Sequence, residues 1–158
     1  LKTFIDQIQE KGGQPVLVTP TRRRKFDKEG RTVNTHGEYP DAVRWIAAKE
    51  NVPLIELNNM TGTLYEALGE SGSKKAFVHY PMGSFPGQKK ELADNTHFNP
   101  YGAYQIAKCV IEGMKKATPE LTKYLKTDTS YAPAKPDNVD SFHWCPAPFC
   151  EMEKPDGN

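Results

Sequence analysis

Asp94 and His97 lie three positions apart in Ala93-Asp94-Asn95-Thr96-His97-Phe98-Asn99-Pro100, and of all the residues in this chain they are the best suited to joint proton chemistry. An aspartate that accepts the Nδ1 proton of an imidazole fixes its tautomer and leaves Nε2 to take a proton from a nucleophile. Asn99 is a good N-cap and Pro100 suits the first position of a helix, so His97 sits two residues ahead of the cap and Asp94 farther up the incoming loop. The positive end of the helix dipole there favours a carboxylate and a neutral imidazole, the resting state of a general base and its orienting partner. Asp94 tying down the loop through its backbone is the plainer alternative, because an aspartate and a histidine at this spacing are common by chance.

The surrounding pattern predicts the elements that must position this pair. Leu1, Phe4, Ile5 and Ile8 recur at helical spacing and Gly12-Gly13 end the pattern; residues 15–19, Pro-Val-Leu-Val-Thr, read as a strand buried on both faces. Residues 21–38 are polar and basic, a long loop. A helix is expected over 40–49, a second buried strand over 53–57, and a third helix through Met60, Leu64 and Leu68, capped by Asn58 or Asn59. Residues 69–92 hold four glycines and two prolines and read as a surface connection. The last long helix starts at Asn99, with Ala103, Ile106, Ala107, Val110, Ile111 and Met114 as its core-facing stripe, and a short helix follows near 119–125. Beyond Lys126 the chain is proline-rich, a tail that Tyr131, Phe142, Trp144 and Phe149 are expected to pin to the body.

Strands alternating with helices argue for an α/β fold with a parallel sheet, yet two strands are marginal alone and both look like interior strands. The chain therefore reads as the C-terminal half of a larger α/β domain (1–126) plus the tail (127–158). The missing N-terminal strands then come from an upstream segment or another chain. A start at Leu1, inside a helical pattern, reads as a cut. In open α/β sheets the loops after the strands build the site, so the loop after the first strand, Asn58, Asn59 and Thr61 after the second, and the Asp94–His97 loop should share a rim.

A formal net charge of +1 speaks for neither a nucleic acid nor a membrane as partner, and no apolar run approaches the roughly 18 residues of a membrane-spanning helix. Cys109 reads as a buried free thiol. Cys145 and Cys150 are close enough for a small-loop disulfide, which fits an oxidising compartment; a zinc site there lacks a nearby fourth ligand. His36 and His79 have no metal-ligand spacing, so no metal and no cofactor is expected.

Taken as ordered blocks, the sequence resembles a known family. "ADNTHFNPYGAYQIAKCV" resembles the final motif block of the SGNH (GDSL-like) hydrolases, in which Asp and His precede the last helix; "PVLVTPTRRRKFDKEG" followed by "YPDAVRWIAAKENVPLIELNNMT" resembles the rhamnogalacturonan acetylesterase branch. The resemblance covers roughly residues 1 to 116. It implies a three-layer α/β/α fold, and it implies that Asp94 and His97 are the acid and base of a serine triad in a secreted or periplasmic esterase that deacetylates pectin. The family's nucleophilic Ser and its oxyanion-hole Gly and Asn belong to upstream blocks that this chain does not contain. Ser71, Ser73 and Ser84 lie in the surface connection and are not expected to replace the nucleophile, so the chain alone should be inactive.

The basic loop from Arg22 to Arg31 has two readings. One is a solvated loop; the other is that Arg22, Arg23 and Arg24 contact carboxylates of an acetylated acidic polysaccharide, where a guanidinium fork fits a planar group. Two further readings remain: a non-catalytic carbohydrate-binding or assembly fragment, and an SGNH esterase acting on another acyl ester.

Overall fold

The computed structural model of the protein describes residues 1–126 and 130–143. Helix α1 (Lys2–Glu10) leads to strand β1 (Leu17–Val18), and α2 (Tyr39–Lys49) to β2 (Leu54–Ile55). Helix α3 (Leu57–Gly72) and a 3₁₀ turn (Ser73–Ala76) precede a hairpin of β3 (Phe77–Tyr80) and β4 (Leu92–Phe98), and α4 (Pro100–Ala117) closes the body. Short 3₁₀ turns follow at Pro119–Tyr124 and Val139–Ser141.

β1 and β2 pair in parallel, Leu17 opposite Leu54 and Val18 opposite Ile55. Successive side chains point to opposite faces, and each face meets helices. Leu17 packs with Ile5 of α1, Ile46 of α2 and Val52; Val16 and Ile55 join the larger core of Leu57, Leu64, Tyr65, Phe77, Tyr101 and Cys109. Helices thus cover both faces of the parallel pair. The strands are shorter than expected, and β1 is not buried on both faces: Val18 is 43% exposed. β1 donates from Leu17 and Thr19 to Pro53 and Ile55, so its other edge faces away from β2, and no described strand pairs with that edge. Phe4 and Ile8 of α1 are also exposed.

Three expectations are corrected. First, residues 69–92 are not all surface connection. They contain β3, whose Phe77 is fully buried and stacks edge-on against Tyr65. Second, Asn58 does not cap α3. Its backbone N–H is satisfied from outside the helix by Thr19 Oγ1 (2.8 Å), while its side chain donates to the Pro20 carbonyl (2.9 Å). Third, the buried face of α4 runs through Tyr101, Gly102, Gln105, Cys109 and Gly113, leaving Ala103 and Ala107 exposed. Ile106, Val110 and Met114 pack against the core from the side.

Close approach decides which residues α4 can carry on that face. A Cβ at Gly102 would lie 1.9 Å from the Ala76 carbonyl oxygen, and one at Gly113 would lie 2.4 Å from Ile55 Cγ2. Asn99 caps α4 as expected: its Oδ1 accepts from Gly102 N (2.9 Å) and its Nδ2 donates to the carbonyls of Lys75 and Phe77. On the outer side of α4, buried Gln105 donates to Asp137 Oδ2 (2.9 Å) and accepts from the Tyr131 hydroxyl (2.9 Å). Lys108 pairs with the same carboxylate, and Phe142 packs on Tyr101 and Tyr104. Segment 130–143 is thereby fastened to α4; Trp144, Cys145, Phe149 and Cys150, with the disulfide and zinc alternatives, lie outside the described residues.

Candidate active site

The hairpin of β3 and β4 is irregular where the chemistry is expected. Phe77 faces Phe98 and His79 faces Ala93, so a single residue, Val78, stands opposite the four from Asp94 to His97. Those four residues cannot follow a regular ladder and must satisfy their backbone groups otherwise. Asp94 does much of this. Its Oδ1 accepts from the backbone N–H of Thr96 (2.6 Å) and of His97 (2.9 Å), as a short acidic side chain does in a turn. Its Oδ2 lies 2.7 Å from His97 Nδ1.

One carboxylate therefore serves both roles that the sequence left open. Oδ1 ties the loop and Oδ2 accepts a hydrogen bond from the imidazole Nδ1. The two backbone N–H groups and the imidazole hold the Asp94 carboxyl at about 2, down from 3.8, the largest contribution being the His97 backbone N–H. At neutral pH Asp94 can only accept, so Nδ1 carries a proton and donates to Oδ2, leaving Nε2 as the ring nitrogen free of that bond. The His97 side chain is 76% exposed, and Nε2 makes no hydrogen bond to a described residue. The geometry is one in which a carboxylate fixes the orientation of an exposed imidazole.

Because the folded-state value is depressed, Asp94 contributes stability in full above the ordinary carboxylate value of 3.8 and loses it as pH falls through about 2. A carboxyl-carbon titration is expected to place Asp94 near 2, and chemical denaturation of Asp94→Asn should lose pH dependence between those values. A titration at 3.8 would show that the turn is not formed.

The three arginines separate. Arg22 lies over Gly62 of α3 and donates to Thr32 O (2.9 Å) and Thr32 Oγ1 (2.6 Å). Arg24 is buried; its Nε donates to Ser73 Oγ (3.0 Å), its Nη1 to Asn95 Oδ1 (3.0 Å) and its Nη2 to the Glu70 carbonyl. Its guanidinium also stands over the Phe26 ring. Arg22 and Arg24 thus direct these donors to groups of the protein itself, and neither behaves as a freely solvated loop residue. Arg23 is exposed, and its side chain bonds no described residue.

His36 Nε2 donates to the Thr21 carbonyl (2.8 Å), within its own loop. His79, ambiguous in sequence, lies across the hairpin with Nε2 2.9 Å from Asn95 Oδ1. Asn59 carries the Thr63 hydroxyl on its carbonyl, and Thr61 Oγ1 accepts from Arg22 N, so the residues after β2 stitch α3 to the loop after β1. Ser73 Oγ donates to Glu70 O and Ser84 Oγ to Pro81 O, and neither they nor Ser71 is bonded to His97. Among the described residues no three of His, Cys, Asp and Glu are grouped to hold a metal, and no helix is long and apolar enough to cross a membrane.

The layered arrangement has a counterpart among solved structures. The crystal structure of protein YxiM from Bacillus subtilis superposes with a TM-score of 0.59 at 23% identity, over 73% of this chain and 29% of that one. The chain thus has a partial α/β fold with a parallel sheet, and its Asp94–His97 pair stands on a turn before the last long helix.

Sequence relatives are more particular. The chain is 44% identical over 116 residues to the rhamnogalacturonan acetylesterase RhgT of Bacillus subtilis, covering 73% of this chain and 50% of that protein. It is 32% identical over 123 residues to the probable rhamnogalacturonan acetylesterase YesY of the same organism, covering 78% and 52%. No family model matches. The chain's curated homologues are rhamnogalacturonan acetylesterases, and it spans about half the length of those it matches, an extent consistent with the C-terminal half of an SGNH hydrolase.

Proposed function

We propose that this chain supplies the base and its orienter to a serine carbohydrate O-acetylesterase acting on rhamnogalacturonan. The observation that carries the reading is the 2.7 Å bond from His97 Nδ1 to an ionised Asp94, with Nε2 unengaged, in a chain homologous to rhamnogalacturonan acetylesterases. In this reading a Ser from the remaining half of the fold attacks the acetyl carbonyl while His97 Nε2 takes its proton. The tetrahedral intermediate expels the sugar alkoxide, which receives that proton, and a water activated by His97 then hydrolyses the acetyl-enzyme to acetate and free Ser.

The edge of β1 that no described strand pairs, together with the exposure of Val18, supports placing the N-terminal strands there, whether from the same polypeptide or another chain. The substrate is an acetylated acidic polysaccharide outside the cytoplasm, in keeping with a secreted or periplasmic enzyme of pectin degradation. Acetate release by the full-length protein tests this reading. It should be rapid with acetylated rhamnogalacturonan and slow with acetylated xylan. Equal rates would shift the substrate to another acyl ester, and no release from either would favour a non-catalytic carbohydrate-binding protein.

A further inference from the structure

Asp94 fixes the geometry within the four-residue turn but does not fix the turn to the body. No regular ladder holds Asp94 to His97 to β3, and Asn95, Thr96 and His97 are exposed residues. Arg24, from a distant segment, attaches it at two points, and His79 of β3 adds a third. The backbone N–H of Arg24 donates to the Asn95 carbonyl (3.0 Å), and its Nη1 donates to the Asn95 Oδ1 (3.0 Å). Asn95 is thus gripped at its main chain and its side chain by the same residue.

Arg24 is itself immobilised. Its Nε and Nη2 reach Ser73 and Glu70 at the end of α3, where Gly69, at φ 73°, breaks the helix. A positive φ of this size is open to glycine at little cost. The break leaves the Glu70 carbonyl to accept from Arg24 and from the Ser73 hydroxyl. His79 adds a second donor to Asn95: Oδ1 already accepts from Arg24, so His79 Nε2 carries a proton and donates as well.

We propose that Arg24, acting through Asn95, is a positioning residue that sets where the His97 imidazole stands relative to the rest of the fold. The loop after β1, the end of α3 and the Asp94–His97 turn meet on one guanidinium. Lysine keeps the charge but has no rigid fork to span three acceptors in different directions. The kinetic part of the test rests on the esterase reading; the exchange part does not.

Arg24→Lys and Asn95→Ala in the full-length protein provide the test, with amide hydrogen exchange and steady-state acetate release as readouts. Both variants are expected to exchange the amide at position 24, which donates to the Asn95 carbonyl, faster while the amides within α4 keep their protection. Both should lose up to ~10²-fold in kcat with KM little changed, the loss typical of a misplaced catalytic group. Asn95 is exposed, so its truncation decides the matter if Arg24→Lys does not fold. Unchanged exchange overturns the proposal, as does faster exchange with an unchanged kcat, which would leave Arg24 a purely structural residue. If the unmodified protein releases no acetate, the esterase reading fails and exchange alone decides the positioning.

Discussion

In the full-length protein, His97→Ala is expected to lower kcat for acetate release by roughly 10⁶-fold and Asp94→Asn by roughly 10⁴-fold, the scale found when a triad's base or orienter is removed. The asymmetry has a structural reason. The amide of the Asp94→Asn variant still offers an oxygen to the Thr96 and His97 N–H groups, so the turn survives. At the position of Oδ2 it presents an N–H₂ donor toward Nδ1, which drives the imidazole proton to Nε2 and abolishes the base. Asp94→Ala removes the turn and the orienter together. Initial rates of acetate release for the three variants, with the double variant no worse than His97→Ala alone, check this. Release at the parent rate by either single variant would remove Asp94 and His97 from the chemistry.

Gly102→Ala should be the most damaging small change outside that pair, costing about 3 kcal/mol or more as an overpacked contact with no room to relax. The clash is with a backbone carbonyl, Ala76 O, which also accepts the Asn99 N–H and so holds the cap of α4 in place. Gly113→Ala meets only a methyl group of Ile55, which can rotate or shift, and should cost distinctly less. Urea denaturation of both variants in the full-length protein measures the difference; equal midpoints would mean that α4 slides freely along its axis.

Local chemistry was legible where it acts locally. Asn99-Pro100 marked the start of α4 because a cap and its helix are adjacent in sequence, and Asp94-x-x-His97 was legible because its bonds span three residues. What escaped was set by partners far away along the chain. The N-terminus of α3 takes its acceptor from Thr19, so Asn58 and Asn59 looked like caps when the cap lay 39 residues upstream. β3 was hidden in a glycine-rich stretch because its strand character comes from pairing with β4, whose four-residue turn erases any alternation. The rotation of the α4 stripe turns on Gln105, a polar residue that no hydrophobic periodicity would place inside; it is buried because Tyr131 and Asp137 satisfy its amide. Arg24 read as a surface charge for the same reason, its three acceptors being scattered over residues 70, 73 and 95.

The single residue facing four across the hairpin also bears on motion. Asp94 and His97 hang from the same short stretch, closed on itself by three hydrogen bonds from one carboxylate. Thermal displacement of that stretch carries both side chains as one rigid unit, so the separation between them hardly fluctuates while the location of Nε2 does. The imidazole keeps its orientation to Asp94 throughout, and the softness of the assembly is confined to one coordinate: the position of Nε2 relative to the body of the fold.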